Sequence, residues 1–355
     1  VISVRFERVA WTLLAPLVTA REVVRSREAL RVWIEAPGER AAGDAAPLPW
    51  FGTETLEEAE ALATRVTPAL VEELLAHPSA PLELPALDLL AAAPTLKAAV
   101  STAVSSLVAQ RLGRPLAEVY AEHNAERVRV NAIIGATSPD DAAKLAREAW
   151  ASGARVFKLK VGAGRLEDDA ARVRAVSAAA PLALLRLDAN GAWTVAEAVN
   201  ALDALAGPSV ELCEQPVAAD DVEGLLEVAA RTRCPIAADE ALLRAAGRER
   251  LVFTGSPLAA VVLKPSALGG PHEAIALAQR ARAAGMKVIV TTLIDGPVMR
   301  AMAAEVAAAA DPEGTSAHGL DTQRLFAEAS AEGDAYEPVA GAIDRRRIHA
   351  MKIAR

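Results

Sequence analysis

The charged residues in the second half of the chain fall in phase. Lys158 and Lys160, Asp188, Glu214, Asp239 and Lys264 each sit at or just after the end of a short apolar run, and from Lys160 onward they are spaced by 28, 26, 25 and 25 residues. Such a step suits one strand plus one helix, and side chains at the C-terminal ends of neighbouring barrel strands converge on one mouth. Three carboxylates gathered there would repel, and one would take a proton unless a cation joined them. Hard oxygen donors suit Mg²⁺, with Mn²⁺ as a substitute; these strand ends lack cysteine and histidine, which disfavours zinc. Lys158 and Lys160 are two apart on a strand and share a face, so Phe157 and Leu159 would point to the helix layer. Adjacent ammonium groups near a dication lower one another's pKa. Moving Lys160 from about 10.4 toward 7–8 costs roughly 4 kcal/mol and yields a base at neutral pH. Lys264 would stand across the mouth. The arrangement suits removal of a proton α to a carboxylate, because the charge a metal stabilises grows only as that proton leaves.

The elements that would position these groups are legible as two regimes. Up to about residue 125 the pattern is α+β. Val1–Trp11 and Ala29–Glu35 read as strands, and a polar stretch, Ala36–Gly52, separates them from helices. Thr55 and Glu58 form a capping box at one helix start. Leu87–Leu112 reads as a second helical region interrupted by Pro94. From about 128, short apolar runs alternate with amphipathic stretches. The runs are Arg127–Ile134, Arg155–Lys160, Ala183–Leu187, Val210–Cys213, Pro235–Ala237, Ala259–Leu263 and Lys287–Thr291, with an eighth around Thr315–His318. Between them lie Pro139–Ala151, Glu167–Ala180, Thr194–Ala206 and Pro271–Ala284. This alternation predicts an α/β fold, a (β/α)8-type barrel (a modified TIM barrel) at 125–321 with an α+β capping domain at 1–124. The tail, 322–355, is expected to pack back on the N-terminal part.

Composition narrows the function classes. Lys+Arg 38 against Asp+Glu 46 gives a net charge of −8, which argues against nucleic-acid or anionic-membrane partners. A small-molecule carboxylate is the expected partner, and homo-oligomerisation is left open. Cys213 and Cys234 are too few for a disulfide framework and read as buried thiols. No window approaches a membrane span; Ala98–Gln110 comes nearest and reads as a buried helix. No secretory leader pattern is present, so the expected location is cytoplasmic.

The strings Lys158-Leu159-Lys160, Asp188-Ala189-Asn190, Glu214-Gln215-Pro216, Ala238-Asp239-Glu240 and Lys264-Pro265 occur in order. With Pro47-Leu48-Pro49-Trp50-Phe51 and Glu54-Thr55-Leu56 ahead of them, the chain resembles the enolase superfamily in its muconate cycloisomerase-like branch. The resemblance implies that Asp188, Glu214 and Asp239 bind Mg²⁺, that Lys160 is the acid/base supported by Lys158, and that Lys264 faces the opposite side of the substrate. Asn190 and Glu240 would stand close behind the metal, unless they merely cap helices. Arg186-Leu187-Asp188, Leu263-Lys264-Pro265-Ser266 with Gly269-Gly270, and Gly319-Leu320-Asp321-Thr322 are most similar to the o-succinylbenzoate synthases of menaquinone biosynthesis. Their reaction is dehydration of 2-succinyl-6-hydroxy-2,4-cyclohexadiene-1-carboxylate. Arg186 would neutralise the carboxylates or meet substrate, or else form a structural ion pair. One departure is Asp295, which stands where the branch often has glutamate, on a loop expected to border the substrate.

The same core serves racemases or epimerases of N-acylated amino acids or dipeptides, and muconate-type cycloisomerases. Dipeptide epimerases often carry Asp-x-Asp at the eighth strand end; this chain has Asp321 alone. A barrel that binds without catalysing is the remaining alternative. His77, His123, His272, His318 and His349 show no ligand spacing, and only His318 lies near the expected mouth. Gly162-Ala163-Gly164 lacks the Lys-Ser/Thr of a phosphate loop and reads as an ordinary turn. Trp50 and Phe51 either close over substrate or pack on the barrel. Arg21 and Arg25 are read as solvated, with a substrate carboxylate as the alternative.

Overall fold

The computed structural model describes residues 1–18, 23–76, 85–135, 137–327 and 336–346. Arg21, His77 and His349 lie outside the described residues. The N-terminal sheet is antiparallel, ordered β1 (Ser3–Val18), β2 (Val23–Ala36) and β3 (Glu39–Ala45). The third strand corrects the sequence reading, which placed a separating stretch at Ala36–Gly52. Its small and polar residues carry little strand signal, yet Ala36–Glu39 closes a tight hairpin with Gly38 at φ +81°. Gly43 has a second reason to be glycine: a Cβ there would lie 1.9 Å from the Ala99 carbonyl oxygen, so only glycine admits the helix Pro94–Leu112. Pro94 occupies the first turn of that helix rather than interrupting one, where its missing N–H costs nothing. The helix is buried on nearly every side, which explains its unbroken run of alanine, valine and small polar residues. Among the described residues no helix is long and apolar enough to cross a membrane. The Thr55–Glu58 capping box forms as the sequence predicts.

The barrel begins with β4 (Arg127–Val130) and β5 (Ala132–Ile134), one strand jogged at Asn131. Next come β6 (Val156–Lys160), β7 (Leu184–Asp188), β8 (Val210–Glu214), β9 (Ile236–Ala238), β10 (Ala260–Leu263) and β11 (Lys287–Val290), all parallel to their neighbours. β12 (Ala317–His318) pairs in parallel with β4, and Gly319 bridges Thr291 just beyond β11, so the ring closes. His318 is buried at this closure. Its Nδ1 accepts the Val290 N–H at 3.0 Å, and its carbonyl accepts the Asn131 N–H at 2.9 Å. β13 (Ala342–Asp344) adds to β4 from the other side, antiparallel, while Phe326 bridges Leu13 of β1.

Alternation along each strand makes two apolar layers. Phe157, Leu159, Leu185, Leu187, Cys213, Val261, Leu263, Val288 and Val290 face the helices in the main core. Leu212, Ala237, Ala260, Val262 and Ile289 plug the barrel interior. Polar side chains of the inward phase can therefore gather only above or below that plug. Cys213 and Cys234 are free and buried.

The N-terminal helix and the barrel meet at a polar seam. His272 is half-buried; its Nδ1 lies 2.8 Å from Ser101 Oγ, and Tyr120 meets its ring edge-on. Burial, helped by the charge of Lys97, pushes the imidazole down to about 4. Between that value and the ordinary His pKa near 6.5, the unfolded chain binds the extra proton and the folded one does not, so stability falls as pH drops through this window. The loss expected is on the order of 3 kcal/mol. Guanidinium unfolding at pH 7, 5.5 and 4.5 should show a shallower pH slope for His272→Gln than for the parent; equal slopes would remove His272 as the cause.

Candidate active site

Lys158 and Lys160 on β6, Asp188 at the end of β7, Glu214 at the end of β8, Asp239 just past β9 and Lys264 just past β10 share the inward phase above the plug. Strand register sets Lys160 opposite Asp188, and Asp188 opposite Glu214. The three acids are nearly inaccessible, at 1–2% exposure. The Lys158 ammonium lies between two of them, 2.9 Å from Asp188 and in contact with Glu214. Lys160 donates to Asp188 at 2.6 Å and also to Asn190. Lys264 pairs with Asp239. The Asn190 Nδ2 donates to Glu240 at 3.0 Å, so Glu240 joins the same network.

Backbone geometry at the strand ends supports this gathering. Asn190, two residues past Asp188, and Gln215, next to Glu214, both adopt left-handed φ, +47° and +40°. Such turns are uncommon for residues with side chains and are held only where the surroundings enforce them. Gln215 is fully buried, and its Oε1 accepts the N–H groups of Asp239 (3.0 Å) and Ala241 (3.2 Å). It thereby fixes the segment that presents Asp239. In the sequence Gln215 stands out only as part of the Glu214-Gln215-Pro216 string; the signal was a neutral amide where a strand end needed no charge.

The electrostatics differ from the expected mutual lowering of two lysines. Burial opposes the charge on Lys158, but Asp188, Glu214 and Asp239 outweigh it and hold the ammonium well above its ordinary value. Lys160 shares the Asp188 oxygen with Lys158, but the acids outweigh that second cation. Burial acts against Asp188 too, yet Lys158 and Lys160 keep it well below the usual carboxylate range. Glu214 is pushed up by burial, with Asp188 and Asp239 adding to it. Asp239 rises to about 6 through burial and the neighbouring Glu240, despite Lys264. Burial is the chief cause for both raised acids, so they stay raised even with three ammonium groups present.

Among the described residues no three acidic, histidine or cysteine side chains stand close enough together to hold one ion as they are placed. The donor chemistry nevertheless fits a hard dication. All three buried groups are carboxylates, two of them share one cation already, and the two raised acids would gain from more positive charge.

The other sequence candidates fall around this cluster or away from it. Arg186 is wholly buried below Asp188 and donates to Glu211 and to the Ala317 carbonyl, each at 2.6 Å. Asp295 is buried; its Oδ2 accepts Ser266 Oγ and the Leu293 N–H, both at 2.9 Å. Phe51, on the turn Pro49–Phe51, sets its ring 4.7 Å from the Lys264 ammonium, and Trp50 stacks edge-on against it. Asp321 accepts from Gln323 (2.7 Å) and Arg324 (3.1 Å). Arg25 and His123 are exposed. The Gly162 turn is tied to Asp169 at 2.7 Å.

Comparison with known proteins fits this geometry. Residues 141–346 match the family described as Enolase C-terminal domain-like. A hydrophobic dipeptide epimerase of Enterococcus faecalis is 34% identical over 246 residues, covering 68% of this chain and 69% of that protein. An o-succinylbenzoate synthase of Thermobifida fusca is 39% identical over 227 residues, covering 63% and 68%. The solved dipeptide epimerase of Enterococcus faecalis V583, complexed with Mg and the dipeptide L-Leu-L-Tyr, superposes with a TM-score of 0.79 at 27% identity, over 96% of this chain and 98% of that one. The chain belongs to the enolase superfamily, in its muconate cycloisomerase-like branch.

Proposed function

We propose that the chain removes a proton α to a carboxylate, with Asp188, Glu214 and Asp239 holding Mg²⁺, and that its reaction is the o-succinylbenzoate synthase dehydration. The observation that carries the reading is that Lys160 and Lys264, on strands four places apart in the sheet, end on one buried acid cluster. Substrate lying over the cluster would meet an amine from either side. Bound by the three acids, Mg²⁺ would supply charge that offsets the negative charge growing on the substrate carboxylate. Lys160, as the free amine, takes the α-proton, and Asn190 and Asp188 orient it. The electron pair left on the α-carbon then expels the ring hydroxyl, to which Lys160 returns the proton, so water leaves. The Lys264 ammonium stays charged and steadies the anion. Residues 1–124 act as the cap and 125–321 as the catalytic barrel.

The lyase reading is favoured by Asp321, a single acid already held by two neighbours, with Gln323 two residues on. A substrate ammonium would find little to bind there, whereas a substrate with only carboxylates needs no such pair. The second reading is epimerisation of a dipeptide or N-acylated amino acid, supported by the paired lysines and by the likeness to the dipeptide epimerase.

Assays with 2-succinyl-6-hydroxy-2,4-cyclohexadiene-1-carboxylate and with a dipeptide panel in D₂O separate the two. The lyase reading expects water loss from the first and no α-deuteration of the second; deuterated, epimerised dipeptides without dehydration would replace it with the alternative. Lys160→Ala should lower proton transfer by about a thousandfold while Mg²⁺ affinity changes little. Full activity in that variant would remove Lys160 from its role.

Lys158→Met leaves Asp188 and Glu214 buried without their shared ammonium. Metal-free, it should lose about 3 kcal/mol of stability, and Mg²⁺ should raise its melting temperature more than the parent's. Equal Mg²⁺ shifts in the two proteins would place the ion elsewhere.

A further inference from the structure

Arg27 lies on β2 opposite Trp11 and is only 4% exposed. Its guanidinium donates to three backbone carbonyls: Ala46 at 2.5 Å, Pro47 at 2.9 Å and Ile294 at 3.2 Å. These carbonyls belong to two loops from different sheets. The first loop continues through Leu48 into the turn Pro49–Phe51, where the Phe51 N–H returns to the Leu48 carbonyl at 2.8 Å and the ring meets Lys264. The second connects β11 to the helix Pro297–Ala310. Within it Ile294 has φ +58°, a region that β-branched residues avoid. The next residue, Asp295, accepts from Ser266, two positions beyond Lys264. Trp11 fills the space beside Gly296, where a Cβ would come within 2.4 Å of the indole. Leu48, Leu293 and Ala267 pack together between the two loops.

A guanidinium is a rigid planar fork of donors. Three carbonyls bound to it at once have their mutual positions fixed, which a lysine's single, freely turning ammonium cannot achieve. Both loops that touch Lys264 or the turn following it are therefore referenced to one side chain of the N-terminal sheet. We propose that Arg27 is a positioning residue: by clamping residues 46–47 and 294 together it sets the place of the Lys264 ammonium at the barrel mouth. The proposal deepens the role assigned to Lys264 under the proposed function and rests on it for its kinetic consequence.

Hydrogen exchange and steady-state kinetics on full-length, Mg²⁺-loaded protein test it. Arg27→Met should speed exchange in residues 46–51 and in 291–296 together, with β6 to β10 unchanged. It should lower kcat by roughly ten- to a hundredfold with KM moved less than about threefold, the scale expected when a reacting group is displaced by a fraction of an ångström to an ångström. Arg27→Lys, which keeps the stem and charge should the methionine variant fold poorly, should loosen the same two loops to a smaller extent and recover only part of kcat. Arg111→Gln weakens the same sheet through the Arg111–Glu39 pair, at the end of β3 opposite residues 46–47, and should leave kcat within about twofold if the loss is specific to positioning. Loosening of one loop alone, or an equal kcat loss in Arg111→Gln, would overturn the proposal. If the parent shows no turnover on any substrate tried, the functional reading fails, while the exchange result still decides whether Arg27 joins the two loops.

Discussion

Buried charge needs a partner, and this requirement organises the molecule. Asp188, Glu214 and Asp239 are almost without solvent, and an uncompensated carboxylate there would be costly or protonated. Compensation comes from Lys158, Lys160 and Lys264, the first two from one face of a single strand and the third from another part of the strand ring. A small error in strand register would break these pairs, and a one-residue slip would turn Lys158 and Lys160 into the helix layer. The apolar plug of Leu212, Ala237, Ala260, Val262 and Ile289 limits how deep the charges can sit. Local backbone strain at Asn190 and Gln215 is tolerated because the same network holds both residues in place.

The site is also a shared boundary. Its floor is barrel, but one wall carries Phe51 from the N-terminal part and another carries Leu293 to Asp295 from the loop after β11. The seam between the parts is polar where Lys97 bridges Asp88 and Glu273 and where Ser101 meets His272, and apolar where Leu48 meets Leu293. Polar contacts of this kind fix orientation more than they add stability. The N-terminal sheet thus has a structural reason to be rigid: its position sets the walls above the floor of acids and lysines.

The division between floor and walls accounts for the breadth of the relatives, which include dipeptide epimerases, o-succinylbenzoate synthases and muconate cycloisomerases. On the proposed function, the strand-end acids and lysines would provide for one kind of event, proton loss beside a carboxylate. The fate of the resulting anion would then depend on which groups the walls hold against the lysines. Fold-level likeness therefore speaks to the chemistry of the floor, and specificity has to be argued from wall residues such as Asp295 and Phe51.

The sequence by itself determined the barrel's rhythm and its polar phase. Every apolar run from Arg127 to Lys287 became a strand, and the short run around Thr315–His318 closed the ring, because period-two alternation and strand-end charge are local properties of the chain. It was silent where neighbours decide. β3 was hidden because Gly43 answers to the close approach of a helix distant in sequence, and the alanines beside it carry little strand propensity. The state of Lys158 inverted because its nearest charges turned out to be acids from two other strands. Arg27 showed no signal at all: the three partners that clamp the loops are backbone carbonyls, which every residue carries, so only the folding of two distant loops onto one guanidinium could single it out.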